Sequence, residues 1–200
     1  MNISADFGIT VTDTLRKKGD ELIHKMDLSS KNLDQERVRK LFPDIDFVSN
    51  EGFLAVTGGK HLGLGDYIDS TPIIHVNEID AVGHGSMKLS GLSEEESTII
   101  VSAGSGTACI HAHRGIFTHC SGTGVGGGTV LGLSKLLLGT TDPEEIATLA
   151  EKGDESFVDL ILEDVVSGPI GQLPSNTTAV NFGKVSKNNI EYSREDIAAG

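Results

Sequence analysis

Residues 121–139 read SGTGVGGGTVLGLSKLLLG, with five glycines in the first eight positions and an apolar run behind them. Glycine loses more conformational entropy on folding than other residues, so this density predicts a backbone that must turn sharply or approach a ligand closely. The run also contains the spacing G-x-G-x-x-G of dinucleotide-binding turns, which requires an acid at the end of a second strand about 20 residues later. The acid at that offset is Asp142, which precedes Pro143 as a helix N-cap. The dinucleotide match is therefore accidental.

The charge of the chain restricts what such a loop can bind. The 200 residues include 16 Lys or Arg and 29 Asp or Glu, a formal net charge of −13. A surface this acidic repels nucleic acid and anionic membranes, so we expect neither as a partner. A phosphate site must then be local, built from backbone amides, a helix N-terminus or a bound cation. The sequence lacks G-x-x-x-x-G-K-[ST], which excludes a P-loop.

The expected compartment follows from the N-terminus and the cysteines. The opening residues MNISADFGITVTD have neither the basic leader nor the apolar core of a secretory signal. No apolar run approaches the roughly 20 residues that span a membrane. Two cysteines do not form a disulfide framework. We expect a cytoplasmic protein.

The order of apolar patterns predicts an α/β protein with a mixed sheet and flanking helices. Three strands in a meander are expected first, with turns at Gly8 and Gly19, and then a helix that Pro43 ends. The further expected elements are strands in 53–59 and 72–76, a helix in 77–89, a strand and hairpin in 98–120, a buried helix in 129–138, a helix from Asp142 to Gly153, a third helix in 156–166, and a tail of loops and turns with a new helix at Ser193.

Glycine turns follow predicted strands at three places, and together they favour a nucleotide cleft. The turns are Asp6 to Thr10, residues 104–107 and the run at 122–128. Each one offers amides and hydroxyls to phosphate oxygens, and the last leads into a helix N-terminus. Asp6 is suited to orienting a hydrated Mg²⁺, which takes few carboxylates and keeps its waters. A single turn of this kind is more often an ordinary hairpin, so the argument depends on all three.

The chain resembles the type II (eukaryotic-like) pantothenate kinases of the actin-like ATPase, sugar kinase and heat-shock ATPase superfamily. The resemblance covers nearly the whole chain, in the family's order and spacing. The motifs that carry it are D-x-G-x-T at 6–10, VTGG at 56–59, NEIDAVGHG at 77–85, GSGT at 104–107, SGTGVGGGTVLGLSKLLLGTTD at 121–142, LAEKGDESFVDLILEDV at 149–165 and NFGKVS at 181–186.

The resemblance implies an actin-like (ribonuclease H-like) fold and an ATP-dependent kinase. The acceptor is expected to be pantothenate or a similar small hydroxy acid, in the first step of coenzyme A biosynthesis. Glu78 is then the catalytic base, although a glutamate at a helix start is also favoured by the macrodipole alone. Mg²⁺ is expected near Asp6, and the protein is expected to be a homodimer. The implied phosphate-binding residues are Asp6, Gly8, Thr10, Ser105, Gly106, Gly127, Gly128 and Thr129.

The sequence departs from the family at four side chains. The family's first turn is D-x-G-G-T-x-x-K, but here Ile9 replaces the second glycine and Asp13 stands in place of the lysine. An anion in place of a cation weakens polyphosphate binding. His119 occupies the place of an arginine near the substrate, and histidine offers no bidentate fork. Pro143 replaces an aromatic that often follows the family's T-D.

The length of the chain is a further departure. It ends at SREDIAAG, where the family begins a long helix and completes its second lobe. We therefore expect the second lobe to be incomplete in this sequence. The expected division places an actin-like lobe with the phosphate turns and Glu78 in residues 1–120, and the glycine loop, helices and start of the second lobe in residues 121–200.

Two alternatives to a pantothenate kinase remain open. The first is a nucleotide-binding regulatory member without transfer activity, favoured by Asp13 and His119. The second is an ATPase of the superfamily that acts on another small molecule, since the form D-x-G-x-T-x-T-D also resembles hydantoinase and oxoprolinase relatives. Lys60 and His61 follow the VTGG turn and lie near the expected cleft without an assigned role.

The predicted hairpin around residues 114–115 places Cys109 opposite Cys120 and His111 opposite Thr118. Alternation along the strand puts Cys109, His111 and His113 on one face. A zinc site there is conceivable, but the spacing matches no familiar set of ligands. Free thiols and strand histidines are the favoured interpretation.

Overall fold

The computed structural model describes residues 1–18, 21–28, 33–59, 61–93, 95–186 and 190–200. The glycine run divides the chain into two units, Met1–Gly126 and Gly127–Gly200. The expected turn at Gly19 and residue Lys60 lie outside the described residues. Across the described ranges, none of the helices has the length and apolar character that crossing a bilayer requires.

A mixed sheet of six described strands forms the first part of unit one. Its order is β3-β2-β1-β4-β6-β5. The first three strands are an antiparallel meander, as predicted, whereas β1 pairs with β4 and β4 with β6 in parallel. The strands are β1 (Ile3–Phe7), β2 (Val11–Lys18), β3 (Glu21–Leu28), β4 (Leu54–Gly58), β5 (Tyr67–Ile68) and β6 (Thr71–His75).

The helix α1 (Gln35–Leu41) covers one face of this sheet. Its N-cap is Asp34, whose carboxylate accepts a hydrogen bond of 2.8 Å from the backbone N–H of Arg37. Val38 and Leu41 join a buried cluster with alternate residues of the strands, Ile3, Ala5, Phe7, Leu54 and Val56. Since side chains alternate along a strand, this burial places Ser4, Asp6 and their neighbours on the opposite face.

The second part of unit one combines α2 (Glu78–Ser90) with the strands β7 (Thr98–Ala103), β8 (Thr107–His113) and β9 (Ile116–Thr123). The strands form an antiparallel meander. A two-residue turn joins the last two, with positive φ at Arg114 and Gly115, which suits the right-handed twist of a hairpin. Apolar side chains of α2, β7, β8 and β9 pack together around Ile110. The predicted helix and hairpin are confirmed.

The pairing predicted within this hairpin is confirmed at one end and wrong at the other. His111 lies opposite Thr118, as expected, but Cys109 lies opposite Ser121. A β-bulge between Cys109 and Ile110 inserts Cys120 as an extra residue, because Ile110 pairs with His119. Both thiols are free. The bulge is therefore the reason that the two cysteines are not cross-strand partners.

Unit two is a set of short helices with one small β-ladder. Asp142 caps α4 as predicted: its carboxylate accepts a hydrogen bond of 3.0 Å from the backbone N–H of Glu144, and Pro143 lies in the first turn. Ser193 likewise caps the last helix. The elements are α3 (Gly127–Leu137), α4 (Pro143–Ala150), β10 (Leu160–Ile161), α5 (Leu162–Val166), β11 (Thr178–Val180) and α6 (Arg194–Ala199).

Two expectations for unit two are wrong. The segment 156–166 does not form one helix, because a 3₁₀ turn, β10 and the short α5 divide it, and β11 in the presumed loop region pairs with β10. The cause is Asp159, which is 2% exposed and draws the chain toward Phe182 by accepting its backbone N–H at 2.7 Å. The helix α3 forms but is not buried, since Leu136 is 81% exposed.

Candidate functional site

The face of the first sheet opposite α1 carries an open groove of about 300 Å³, whose lining is mostly apolar. Asp6 of β1, Asp13 of β2 and His24 of β3 line it together with Thr57 of β4. Strand pairing brings these residues together, since Asp6 lies opposite Asp13 on one side and Thr57 on the other. The hydroxyl oxygen of Thr57 is buried and has no hydrogen-bond partner among the described residues. The groove thus holds two carboxylates and an unsatisfied hydroxyl.

Asp6 is a carboxylate whose environment raises its pKa. Partial burial raises its pKa above the ordinary value, the negative charges of Glu78 and Asp13 raise it further, and His61 lowers it. Among the described residues, none donates a hydrogen bond to its oxygens. Such a carboxylate is stabilised by a proton or by a cation. The arrangement suits a hydrated divalent ion, which needs few protein ligands.

Glu78 is the first residue of α2, and its backbone position is set by a cap. The side chain of Asn77 accepts a hydrogen bond of 2.8 Å from the backbone N–H of Ile79. This N-cap starts the helix shortly after the end of β6. Glu78 is exposed and close enough to Asp6 for its charge to raise the Asp6 pKa. The structure therefore brings together the two carboxylates that the sequence singled out.

Asp13, the anion in place of the family's lysine, has a partner that the sequence analysis missed. Nε2 of His24 lies 2.7 Å from Oδ1 of Asp13, across the meander. Both side chains are partly exposed, so the pair adds little stability. The period-two register of the predicted meander was the signal that would have placed His24 on the face of Asp13.

The turn after β4 is built directly against Asp6. Gly58 has φ of +89°, and a Cβ there would lie 2.7 Å from Oδ1 of Asp6. The N–H of Gly59 donates to the carbonyl of Phe7 at 3.1 Å. His61 hydrogen-bonds the carbonyl of Gly58 through Nδ1. Only glycine fits at position 58, which explains the first glycine of the VTGG motif, whereas a Cβ on Gly59 would meet no atom within 4 Å.

Two of the predicted phosphate turns meet within unit one. The hydroxyl oxygens of Thr10 and Ser105 lie 2.8 Å apart. At the next turn, a Cβ on Gly126 would lie 2.8 Å from the backbone of Gly106, so glycine allows these two backbones to pack together. A Cβ on Gly8 would lie 2.8 Å from the carbonyl oxygen of Val11, so the first turn also has no room for a side chain there.

The departure at Ile9 leaves the backbone of the first turn unstrained. Ile9 is not among the non-glycine residues with positive φ, so the family's second glycine is not needed for conformation at this position. Its side chain is 84% exposed. The substitution places an exposed apolar side chain on the surface of the turn.

The remaining predicted site residues lie on β9 and α3. His119 lies opposite Ile110 on β9, and a Cβ on Gly122 would lie 3.2 Å from its Nε2. Gly127, Gly128 and Thr129 form the first turn of α3 in unit two. Within the described ranges, no group of three or more His, Cys, Asp or Glu side chains is arranged to hold a metal ion.

The fold of a solved protein supports this architecture. The activator of the 2-hydroxyisocaproyl-CoA dehydratase from Clostridium difficile, solved with bound ADPNP, is similar with a TM-score of 0.53 at 13% identity, over 80% of this chain and 59% of that chain. Together with the mixed sheet and its flanking helices, this similarity shows the actin-like ATPase fold that the sequence resemblance implied.

Curated relatives match along the sequence. A type II pantothenate kinase from Bacillus cereus is 29% identical over 98% of this chain and 72% of its own length. A type II pantothenate kinase from another Bacillus cereus strain is 32% identical over 73% of this chain and 54% of its own length. The chain thus spans between about half and three quarters of these relatives.

A family model gives the assignment. The model described as Fumble matches residues 90–200, which is more than half of the chain. This region includes the motifs at 104–107, 121–142, 149–165 and 181–186, which carried the resemblance to type II pantothenate kinases. The chain belongs to the Fumble family, the type II pantothenate kinases.

Proposed function

We propose that this protein is an ATP-dependent kinase that phosphorylates the primary hydroxyl of pantothenate, or of a similar small hydroxy acid, in coenzyme A biosynthesis. The observation that carries the proposal is the pair Asp6 and Glu78, two carboxylates in electrostatic contact beside the groove. Phosphoryl transfer needs a cation site and a carboxylate near the attacking hydroxyl, and the pair supplies one residue for each. The names of the curated relatives supply the acceptor.

Asp6 is the residue proposed to orient Mg²⁺ through its water shell. Its carboxylate accepts no hydrogen bond from the described residues and is surrounded by negative charge, so a cation relieves both deficits. The neighbouring Thr57 hydroxyl, buried without a partner, suits a metal-bound water. The ion would neutralise charge on the phosphates during transfer.

Glu78 is proposed as the base that accepts the proton of the substrate hydroxyl. It stands at the N-terminus of α2, and its side chain is exposed to solvent and accessible to a substrate. Its position on the first turn of a capped helix fixes the backbone and leaves the side chain free to reach a ligand.

The phosphates are proposed to bind the glycine turns. Gly8, Thr10, Ser105 and Gly106 belong to two turns that touch through the Thr10 and Ser105 hydroxyls, which are suited to donate to phosphate oxygens. For Gly127, Gly128 and Thr129 the proposal rests on the family resemblance and on the helix N-terminus that they form. His119 is proposed on the substrate side, in the place of the family's arginine.

A second candidate function is a nucleotide-binding regulatory protein with weak or no transfer activity. Asp13 favours it, because this carboxylate lies directly opposite Asp6 and repels a polyphosphate in the groove. Its ion pair with His24 opposes that repulsion when the imidazole is protonated, and so favours the kinase.

A calorimetric titration of Mg²⁺–ATP, with and without pantothenate, and an assay of ADP release distinguish these functions. The kinase predicts binding and pantothenate-dependent ADP release. Binding of Mg²⁺–ATP without ADP release supports the regulatory protein. If another compound from a panel of small hydroxy compounds restores ADP release, the result supports an ATPase with a different acceptor. No binding of Mg²⁺–ATP by the full chain contradicts the proposal.

The base assignment predicts a separation of binding from chemistry. Glu78→Gln removes the proton acceptor and keeps the shape of the side chain, so turnover should fall at least about a hundredfold while the Kd for ATP stays within about twofold. The control is Asp80→Asn, two residues further along α2. Equal losses in both variants would contradict a specific role for Glu78.

The assembly and compartment are also proposals. A homodimer is proposed on the family resemblance, and light scattering with size-exclusion chromatography measures the oligomeric state. A monomer at micromolar concentration would contradict the dimer.

A cytoplasmic location is proposed because both cysteines are free thiols, as expected in a reducing compartment.

A further inference from the structure

The turn after β4 and the side chain of Asp6 are in direct contact. Because a Cβ on Gly58 would lie 2.7 Å from Oδ1 of Asp6, the main chain of this turn forms one wall around the carboxylate. A shift of the turn by a few tenths of an ångström therefore changes the space in which the carboxylate is held. The orientation of Asp6 depends on where Gly58 is fixed.

His61 is the side chain that fixes Gly58. Its Nδ1 hydrogen-bonds the Gly58 carbonyl, and since a carbonyl only accepts, Nδ1 must carry the proton. The ring is supported on another side by His75, with ring centroids 5.4 Å apart, and Nε2 of His75 donates to the carbonyl of Gly65 at 2.8 Å. The imidazole of His61 is thus held between the turn and the end of β6.

Backbone contacts with β1 also hold this turn in place. The N–H of Gly59 donates to the carbonyl of Phe7 at 3.1 Å, and Gly58 is paired with Phe7 in the parallel ladder, so β1 holds one side of the turn. The bond from His61 to the Gly58 carbonyl holds the opposite edge of the same peptide plane. Glycine has no Cβ to restrict its backbone, so this second bond is the one that limits rotation of the carbonyl.

We propose that His61 is a positioning residue for Asp6, acting through its hydrogen bond to the Gly58 carbonyl. The proposal rests on the proposed function, because it assigns the orientation of a Mg²⁺-orienting carboxylate to this histidine. Its effect is on the affinity for Mg²⁺ with nucleotide, since a carboxylate that explores several orientations binds the water shell of the ion less well.

The test uses binding without turnover. Mg²⁺ is titrated calorimetrically into the full chain in the presence of saturating ADP. His61→Ala removes the hydrogen bond and should raise the Kd for Mg²⁺ about fivefold to tenfold, the range for one lost hydrogen bond. His61→Asn retains an N–H at the position of Nδ1 and should restore the Kd to within about twofold of the wild type.

The control is His111→Ala, a substitution on β8. It removes a different histidine hydrogen bond, the one between Nε2 of His111 and the hydroxyl of Ser97 at 2.8 Å. It should leave the Kd for Mg²⁺ unchanged. Thermal unfolding of each variant reports whether the chain is folded, and the Asn variant remains informative if the Ala variant does not fold. A wild-type Kd in His61→Ala, or an Asn variant as impaired as the Ala variant, overturns the proposal while the proposed function stands. No Mg²⁺–ADP binding by the wild type overturns both.

Discussion

Each unit contains one aspartate with a distinctive environment, and the two differ in the hydrogen bonds that their carboxylates accept. In unit two, Asp159 is 2% exposed and accepts hydrogen bonds from the N–H of Phe182 at 2.7 Å and the hydroxyl of Thr178 at 3.3 Å. In unit one, Asp6 accepts none from the described residues and faces Glu78 and Asp13. A carboxylate whose hydrogen bonds are complete holds a fold together. A carboxylate with like charges beside it and no hydrogen-bond donor among the described residues is suited to binding a cation.

The largest effect is expected from a substitution of Asp6. Asp6→Asn removes the charge that we propose orients Mg²⁺ and should lower kcat about a thousandfold, or about 4 kcal/mol of transition-state stabilisation. The free energy of unfolding should change little, because no described partner loses a hydrogen bond. Steady-state kinetics and urea denaturation measure the two effects. A rate within tenfold of the wild type would place the metal site elsewhere.

The converse is expected at Asp159. Asp159→Ala leaves the N–H of Phe182 without its partner in a buried position and should lower the free energy of unfolding by about 3 kcal/mol. Urea denaturation measures the loss. The matched control is Asp159→Asn, which keeps an acceptor oxygen and should lose less. If both variants retain wild-type stability, Asp159 does not hold β10 and β11 together.

A smaller effect is expected where the sequence departs from its family. Asp13→Lys removes one anion beside Asp6 and adds a cation, so the Kd for ATP should fall about tenfold, or about 1.4 kcal/mol. Calorimetry measures it, and the effect should diminish as salt is raised. Asp13→Asn, which removes the anion alone, should give an intermediate value. A weaker affinity in Asp13→Lys would mean that the pair with His24 is part of the phosphate site.

The smallest effect is the pH dependence of stability at Asp6. Its pKa is raised in the folded chain, so the folded state holds this proton more tightly than the unfolded state. The resulting stability is complete below the ordinary pKa of an aspartate and is lost as the pH rises through the raised value. The contribution is small, because the carboxyl is partly exposed and solvent screens its interactions. Asp6→Asn should remove it.

The measurement is the difference between wild type and Asp6→Asn in urea midpoints at pH 3.5 and pH 7, values chosen on either side of an aspartate's usual titration. Other carboxyls act oppositely. Asp196, for example, has its pKa lowered by the backbone hydrogen bond from Ser193, so it adds stability above its ordinary pKa. These groups are common to both proteins and cancel. A difference of the reverse sign would contradict the assigned environment of Asp6.

Much of the fold could be predicted because its signals are local. The meander, the caps at Asp142 and Ser193, and the turn at Arg114 and Gly115 each depend on residues close together in sequence. The segment 156–166 was mispredicted because its apolar spacing fits a helix, while the hydrogen bond from Phe182 to Asp159 comes from a distant part of the chain. Local periodicity carries no information about such a partner.

The candidate site was predicted in part for the same reason. Asp6 and Glu78 follow from motifs, but the environment of Asp6 depends on parallel pairing between β1 and β4, which are far apart in sequence. That pairing is what brings Gly58 and His61 to the carboxylate. The bulge at Cys120 was equally hidden, since one extra residue changes the partners beyond it without altering the apolar pattern.

The contact between Gly58 and Asp6 also constrains how this protein can evolve. A side chain at position 58 enters the space of the carboxylate, and position 6 has no shorter acidic residue available to make room. A change at position 6 would not free position 58, because the same Cβ would also lie 2.6 Å from the carbonyl oxygen of Phe7 and the backbone there has positive φ. Glycine at position 58 is therefore required by the backbone of β1 as well as by the carboxylate, and this part of the groove should persist while the sequence of the surrounding strands changes.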